Sequence, residues 1–214
     1  MSTAAKDEIL GRIRGALADA PAAPEVRRTY RVASQRPREE VVAMLEDRLV
    51  DYKASVHRET PESLPERIAE LLGASARYVV PAGLETSWLP GTTGMRRAIV
   101  DPNDARAASA LGVRELNAVD AVVTASTVSC AETGTIFLTG RPDEGRRAIS
   151  LVPDHHICVV PLGSVVELVP EALARITSTA PITMISGPSA TSDIELERVE
   201  GVHGPRRLDV ILLE

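Results

Sequence analysis

Apolar residues recur at helical spacing near the start of the chain and predict an amphipathic helix from about residue 5 to residue 19. The apolar stripe consists of Ile9, Leu10, Ile13 and Leu17. Residues 20–37 contain three prolines and little apolar periodicity, so we expect an extended arm there. Residues 1–37 are therefore predicted to be separate from the core. The helix docks either on its own domain or on a partner or second subunit.

From residue 38 onward the pattern alternates between helical and strand-like segments. Helical spacing marks residues 41–50 and 68–72, and a small-residue helix is expected to run from an N-cap at Asp101 or Asn103 to Gly112. VVELVPEALARI reads as a crossover helix between two parallel strands, HICVVPLG and ITMISG. The other strand-like runs are RYVVPAG, RRAIVD and LDVILL. Residues 38–214 are thus predicted to form one α/β domain with a mostly parallel sheet covered on both faces.

The charge balance and aromatic content argue against a nucleic-acid-binding protein. The 214 residues include 30 acidic and 24 basic side chains, which give a net charge of -6. A phosphate backbone requires a basic surface, and stacked bases require aromatic platforms. One Phe, one Trp and three Tyr supply few such platforms.

The two cysteines, Cys130 and Cys158, lack the spacing of a metal or cluster motif. We expect no cofactor in this chain and two buried thiols in a reducing compartment. No stretch has the length and apolarity of a membrane helix, and charged residues occupy the region where a signal peptide is apolar. These features predict a cytoplasmic protein with no membrane span.

Glu132 lies in the segment STVSCAETGTIFLTG, directly before Thr133, Gly134 and an apolar strand. A carboxylate among small residues leaves room for a ligand, and partial burial would raise its pKa toward the range used in acid/base catalysis. We therefore expect Glu132 to be catalytic and Thr133 and Gly134 to bind the ligand. A simple turn acid, solvated or capping a local N–H, explains the same residues.

The segment ISGPSATSDIE passes from a strand through Gly187 into a predicted helical turn that contains Ser189 and Thr191. Converging N–H groups and hydroxyls at such a turn predict an anion site that uses these three residues. Asp193 and Glu195 follow directly and would weaken a phosphate site, so helix capping is the alternative.

The connection GVHGPRR presents His203 and Arg206 before the last strand. His203 is a candidate proton carrier and Arg206 a candidate clamp for a carboxylate or phosphate, although turn geometry alone accounts for the glycines and proline. The neighbouring His155 and His156 suggest metal ligands, but adjacent residues of a strand point to opposite faces. We therefore predict no metal site.

The blocks AETGTIFLTG, LVPDHHICVV and GPSATSDIELERVEGVHGPRRLDVILL resemble the LUD family over roughly residues 38–214. The resemblance implies the three-layer α/β/α fold of glucosamine-phosphate isomerase, ribose-phosphate isomerase and CoA transferases. It also implies action with two iron–sulfur partner proteins in the oxidation of L-lactate to pyruvate. It supplies no established catalytic residue. The setting of Glu132 is similar to that of the CoA-transferase carboxylate only by analogy of fold.

Two hypotheses follow from these residues. The first is a cluster-free, non-redox subunit that binds lactate or a related small carboxylate and docks with iron–sulfur proteins. The second is a free-standing acid/base enzyme of isomerase or CoA-transferase type, acting on a sugar phosphate or acyl-CoA with Glu132 as base or nucleophile and Arg206 as clamp. In both, Glu132, the 189–191 turn and the 203–206 loop are expected to meet at the carboxyl ends of the strands.

We predict that the protein purified without oxygen is colourless, because a cluster normally takes four ligands and the chain has two distant cysteines. The measurement is a visible spectrum with an iron determination on the same sample. Stoichiometric iron with broad absorption at roughly 400 nm would refute the prediction.

Overall fold

The computed structural model describes residues 3–19, 25–74, 76–91, 95–188, 190–191, 199–201 and 203–214. The chain divides into two units, Met1–Tyr30 and Arg31–Glu214. The boundary therefore falls seven residues before the position that the sequence pattern indicates, and residues 31–37 belong to the larger unit. Within the described residues, no helix has the length and apolarity to cross a membrane.

The smaller unit contains helix α1, Thr3–Ala16. The helix predicted from the apolar stripe is thus present. Ile9 and Ile13 are 50% and 49% exposed, and Leu17, just beyond the helix, is 61% exposed. A short helix is usually stabilised more by burial of its apolar face than by intrinsic propensity. Because these three side chains keep about half or more of their surface in water, such burial stabilises α1 only in part.

The larger unit is built on a six-stranded sheet in which every neighbouring pair is parallel. In spatial order the strands are β1 (Ser55–Glu59), β12 (Arg207–Leu213), β7 (His155–Pro161), β4 (Ala121–Thr124), β2 (Ala76–Pro81) and β3 (Arg96–Asp101). The central strands are apolar on both faces, as a sheet covered on both sides requires. This arrangement confirms the predicted α/β class with a mostly parallel sheet.

Helices cover both faces of the six-stranded sheet. Helix α2 (Arg38–Asp51) packs against alternate residues of β12 such as Val210 and Leu212. Helix α3 (Leu64–Leu72) packs against the opposite set, including Ile211 and Leu213. The shorter helices α4 (Val113–Leu116) and α5 (Arg147–Leu151) lie over β2 and β4. Two single 3₁₀ turns span Thr86–Trp88 and Leu162–Ser164.

A second, four-stranded sheet lies beside this core. Its strands, in spatial order, are β8 (Val165–Val166), β5 (Val128–Cys130), β6 (Thr135–Leu138) and β9 (Thr183–Ile185). Ile136 and Leu138 on one face join the cluster around α2, whereas Phe137 on the other face packs under helix α6 (Val169–Arg175). A small antiparallel pair, β10 (Ala190–Thr191) and β11 (Val199–Glu200), completes the described strands.

Two details of the sequence prediction are wrong. HICVVPLG and ITMISG do not form one β-helix-β unit, because β7 lies in the six-stranded sheet and β9 pairs antiparallel with β6 in the other. The helix predicted before Gly112 is absent, since residues 102–112 form bends and turns. Asp101, the expected N-cap, is buried and binds the Arg146 guanidinium (Nε to Oδ1, 2.6 Å) and the Leu111 N–H (2.9 Å to Oδ2). These contacts fix an irregular loop.

A buried carboxylate joins the three neighbouring strands β1, β12 and β7. Asp209 of β12 is fully buried, with His57 Nε2 2.9 Å from Oδ1 and His155 Nε2 2.7 Å from Oδ2. The Nε of Arg207 lies 2.8 Å from Oδ2. Burial alone would raise the pKa of Asp209, but hydrogen bonds with His155 and His57 and the charge of Arg207 outweigh it and lower the pKa to about 2.

We expect deletion of residues 1–19 to change the melting temperature by less than about 4 °C, roughly 1 kcal/mol, because α1 belongs to a separate unit. Deletion of residues 1–36 serves as the contrast. It also removes Ser34 and Arg36, which bind the buried carboxylate of Glu167, and should lower the melting temperature by about 4–8 °C. If the shorter deletion also lowered the melting temperature by about 4–8 °C, α1 would have to contribute to the core.

Asp209→Asn should lower the free energy of unfolding by about 3 kcal/mol at neutral pH, because breaking a buried ionic cluster leaves its partners uncompensated. A carboxylate with a depressed pKa stabilises the fold above its unfolded pKa and loses that effect as pH falls through the folded value. The difference in the free energy of unfolding between the wild type and the variant should therefore become smaller as pH falls from about 4 towards 2. Urea denaturation at neutral and acid pH measures this difference. A difference of the same size at both pH values would contradict the lowered pKa of Asp209.

Candidate functional site

A cavity of about 240 Å³ is lined by residues from both sheets. One wall comes from the end of α5, at Ser150 and Leu151. The others come from residues 183–188, which are β9 and the three residues after it, and from the loop 203–205. His156 and Leu208 complete the lining, and each is the second residue of its strand. The cavity therefore lies at the amino ends of β7 and β12. The expectation of a crevice at the carboxyl ends of the strands is wrong for this cavity.

His156 is the most buried polar side chain of the lining, with 1% of its surface exposed. Its Nε2 lies 2.8 Å from Thr124 Oγ1. Burial, assisted by the nearby His155, lowers the pKa of His156 to about 3, so the imidazole is neutral at physiological pH. Thr124 Oγ1 also lies 3.9 Å from Cys158 Sγ, and burial raises the pKa of that thiol to about 12. Cys158 is consequently a structural residue and no nucleophile.

The two predicted ligand-binding glycines have different surroundings. Gly187 lines the cavity, has φ +82°, and a Cβ there would lie 2.6 Å from the Tyr52 carbonyl oxygen. Gly134 has φ +59°, and its Cβ would lie 2.8 Å from Arg48 Cβ. Only glycine accommodates both the positive φ and the close approach. Both loops thus pack on the end of α2, but only Gly187 reaches the cavity lining.

A chain of hydroxyl groups links Thr133 to the cavity wall. Thr133 Oγ1 lies 2.8 Å from Thr135 Oγ1, which in turn lies 2.9 Å from Ser186 Oγ. Ser186 lines the cavity directly after β9. Thr133 is therefore connected to the cavity wall through the side chains of Thr135 and Ser186.

Glu132 does not line the cavity and faces the arm instead. Its carboxylate accepts a hydrogen bond from Arg31, whose guanidinium also lies 3.6 Å from the carboxylate of Glu167. Glu167 is 5% exposed, accepts from the Ser34 hydroxyl and pairs with Arg36 Nε at 3.1 Å. These hydrogen bonds, that of Ser34 first, lower the pKa of Glu167. Residues 31–36 thus neutralise an acidic surface to which Glu132 belongs.

The 203–206 loop carries one residue that lines the cavity and one that does not. His203 is exposed and lines the cavity, whereas Arg206 points to Asp154, with Nη1 3.4 Å from Oδ2. Both side chains of that ion pair are about two-thirds exposed (67% and 68%), so its contribution to stability is small.

Of the remaining predicted residues, Ser189, Asp193 and Glu195 lie outside the described residues. Thr191 belongs to strand β10 and pairs through its backbone with Val199, so the predicted helical turn is wrong at this residue.

The structure therefore brings Gly187 and His203 to one cavity and links Thr133 to it, while Glu132 and Arg206 are not among the residues that line it. His156 is the residue that the sequence argument missed as a site residue. The alternation of side chains along a strand predicts correctly that the rings of His155 and His156 lie on opposite faces of the sheet. Within the described part of the chain, no group of three or more His, Cys, Asp or Glu side chains could hold a metal ion.

Comparison with known proteins identifies the family. The model of the LUD domain matches residues 42–213. Lactate utilization protein C of Deinococcus radiodurans is 44% identical over 213 residues, which is 98% of this chain and 95% of that protein. The proteins of the same name from Bacillus licheniformis and Bacillus subtilis are each 36% identical over shorter regions, covering 43% and 42% of this chain and 41% of each relative.

A solved structure supports the same grouping. The crystal structure of a DUF162 family protein from Deinococcus radiodurans is 38% identical, with a TM-score of 0.67, and covers 84% of this chain and 99% of that one. The match to the LUD domain spans most of the larger unit, and the match to lactate utilization protein C of Deinococcus radiodurans spans nearly the whole chain. The chain belongs to the LUD-domain family.

Proposed function

We propose that this protein takes part in lactate utilization as a cluster-free, non-redox subunit. The observation that carries the proposal is the 44% identity to a lactate utilization protein C over 98% of the chain. Similarity over nearly the full length of both proteins favours a shared role for the whole molecule over the reuse of one motif.

The finer proposal is that the subunit acts with two iron–sulfur partner proteins that oxidise L-lactate to pyruvate. Cys130 and Cys158 lie in different sheets and are both buried. Cys130 Sγ donates to the Glu167 carbonyl oxygen at 3.2 Å, and burial keeps Cys158 protonated. Neither thiol is placed as a thiolate ligand, which supports the proposal that clusters on the partners carry the electrons of the reaction.

A small carboxylate ligand is best placed at the 203–206 loop. His203 lines the cavity, and Arg206 lies three residues further on, before β12. The ion pair between Arg206 and Asp154 is long and exposed, so a carboxylate could replace Asp154 at small cost. We propose that these two side chains hold the anionic end of the ligand at the rim of the cavity.

The acid/base-enzyme alternative requires Glu132 and Arg206 around one ligand. Glu132 is paired with Arg31, whereas Arg206 is paired with Asp154. Neither side chain lines the cavity. These contacts favour the partner-subunit proposal.

Deletion of the gene should abolish growth on L-lactate and leave growth on pyruvate intact, since only the oxidation step is lost. A cell extract should likewise lose lactate-dependent dye reduction and regain it when the purified protein is added. Growth on L-lactate at the wild-type rate would refute the proposed function.

Point variants separate the two hypotheses in the same strain. Arg206→Ala should impair growth on L-lactate at least several-fold without changing the melting temperature, because the exposed ion pair contributes little to stability. Arg114→Ala, also an exposed arginine, is the matched control and should grow normally. Glu132→Gln should also grow, whereas the acid/base alternative requires it to be inactive.

A further inference from the structure

The described residues that line the cavity include no side chain with a permanent charge, since none of them is Asp, Glu, Lys or Arg. Two of its hydroxyl groups have partners, since the Ser186 hydroxyl lies within hydrogen-bond distance of the Thr135 hydroxyl and Ser150 donates to the Arg147 carbonyl. The rest of the surface is largely aliphatic, with Leu151, Ile185 and Leu208 as examples. An ion placed inside would lose its hydration and find no opposite charge.

His156 gives this apolar interior one directional polar group. Its Nε2 is engaged by Thr124, which fixes the ring, and the ring carries a second hydrogen-bonding nitrogen, Nδ1. The side chain belongs to a central strand whose register with β4 and β12 is set on both sides, so the ring is held rigidly. A neutral imidazole in such a position binds one uncharged oxygen or amide group and discriminates against a ligand that lacks it.

The volume sets the size of the occupant. At the packing density of protein interiors, about 240 Å³ holds roughly ten non-hydrogen atoms, the size of a substituted six-membered ring. L-lactate is considerably smaller and would leave most of the apolar wall uncovered.

We propose that this cavity binds an uncharged, ring-sized molecule through an oxygen or amide group hydrogen-bonded to His156. This site is distinct from the carboxylate position at Arg206 and goes beyond the proposed role in lactate utilization. The test of this site measures binding to the purified protein, so its result does not depend on the result of the growth test. Failure of either leaves the other unaffected.

The test uses three probes of the same shape that differ in charge and in hydrogen-bonding groups: neutral benzamide, anionic benzoate and cationic benzamidine. Binding to the full-length protein is measured by calorimetry at neutral pH. Benzamide should bind at least about ten-fold more tightly than either ion, because burying an unpaired charge is costly. Equal affinity for benzamide and benzamidine, or no binding of benzamide at millimolar concentrations, would overturn the inference.

Variants locate the bound probe. Ser186→Trp places a large side chain at the rim of the cavity and should abolish benzamide binding. His156→Phe keeps the ring shape but loses the hydrogen bond, so the affinity should fall by roughly five-fold or more. Thr177→Trp, which adds the same bulk at an exposed position outside the lining, is the matched control and should bind benzamide like the wild type. Melting temperatures of all three confirm that each variant is folded.

Two results would assign the cavity differently. Benzoate binding as tight as that of benzamide, and lost in Arg206→Ala, would mean that the cavity receives an aromatic acid with its carboxylate at the rim. Benzamide binding that survives both Ser186→Trp and His156→Phe would place the probe elsewhere on the protein. Either result rejects the proposal.

Discussion

The larger unit depends on the insertion of its last strand, β12, between β1 and β7. These two strands are separated by about a hundred residues of sequence and have no direct pairing in the sheet order. Asp209, fully buried on β12, connects them through His57 on one side and His155 on the other. A buried carboxylate is tolerated only with such partners, so the cluster specifies the register of all three strands. The sheet is therefore complete only when the end of the chain is in place.

The position of the cavity is a consequence of that insertion. The loop 203–206 precedes β12, so it must lie at the edge where the parallel strands begin. Alternation along β7 then directs His155 to Asp209 on one face and His156 to the cavity on the other. Two adjacent histidines thus serve different purposes, one in stabilising the sheet and one in forming the cavity. Neighbouring positions in the sequence do not make a common site here.

The sequence predicts the parallel sheet well because its strands are continuous apolar runs, and such runs require burial on both faces. The sequence pattern does not predict the four-stranded sheet, since β5 and β9 have three residues each. β5 and β6 form a local hairpin, but β9 joins β6 from a distant part of the chain, with Ile136 opposite Ile185. The residue pattern already indicated the α/β class, and the LUD resemblance added the family, which the pattern alone could not supply. The contact between Glu132 and Arg31 spans 101 residues, and no local pattern in the sequence encodes it. Of the predicted residues, Gly187 and His203 line the cavity, and both lie in loops close to strands of the two sheets.

The surroundings of the buried acids favour a binding subunit over an acid/base catalyst. Asp101 is paired with Arg146, and Asp209 with two histidines. Glu144 accepts hydrogen bonds from the hydroxyl of Thr127 and from the backbone N–H groups of Thr139 and Arg141. A general acid or base needs a carboxylate that faces the ligand with a pKa near the working pH. Each of these carboxylates instead has several fixed donors that hold it in place as part of the scaffold. Among the polar groups that line the cavity, the most buried is the neutral imidazole of His156, which is suited to recognising a ligand without becoming charged.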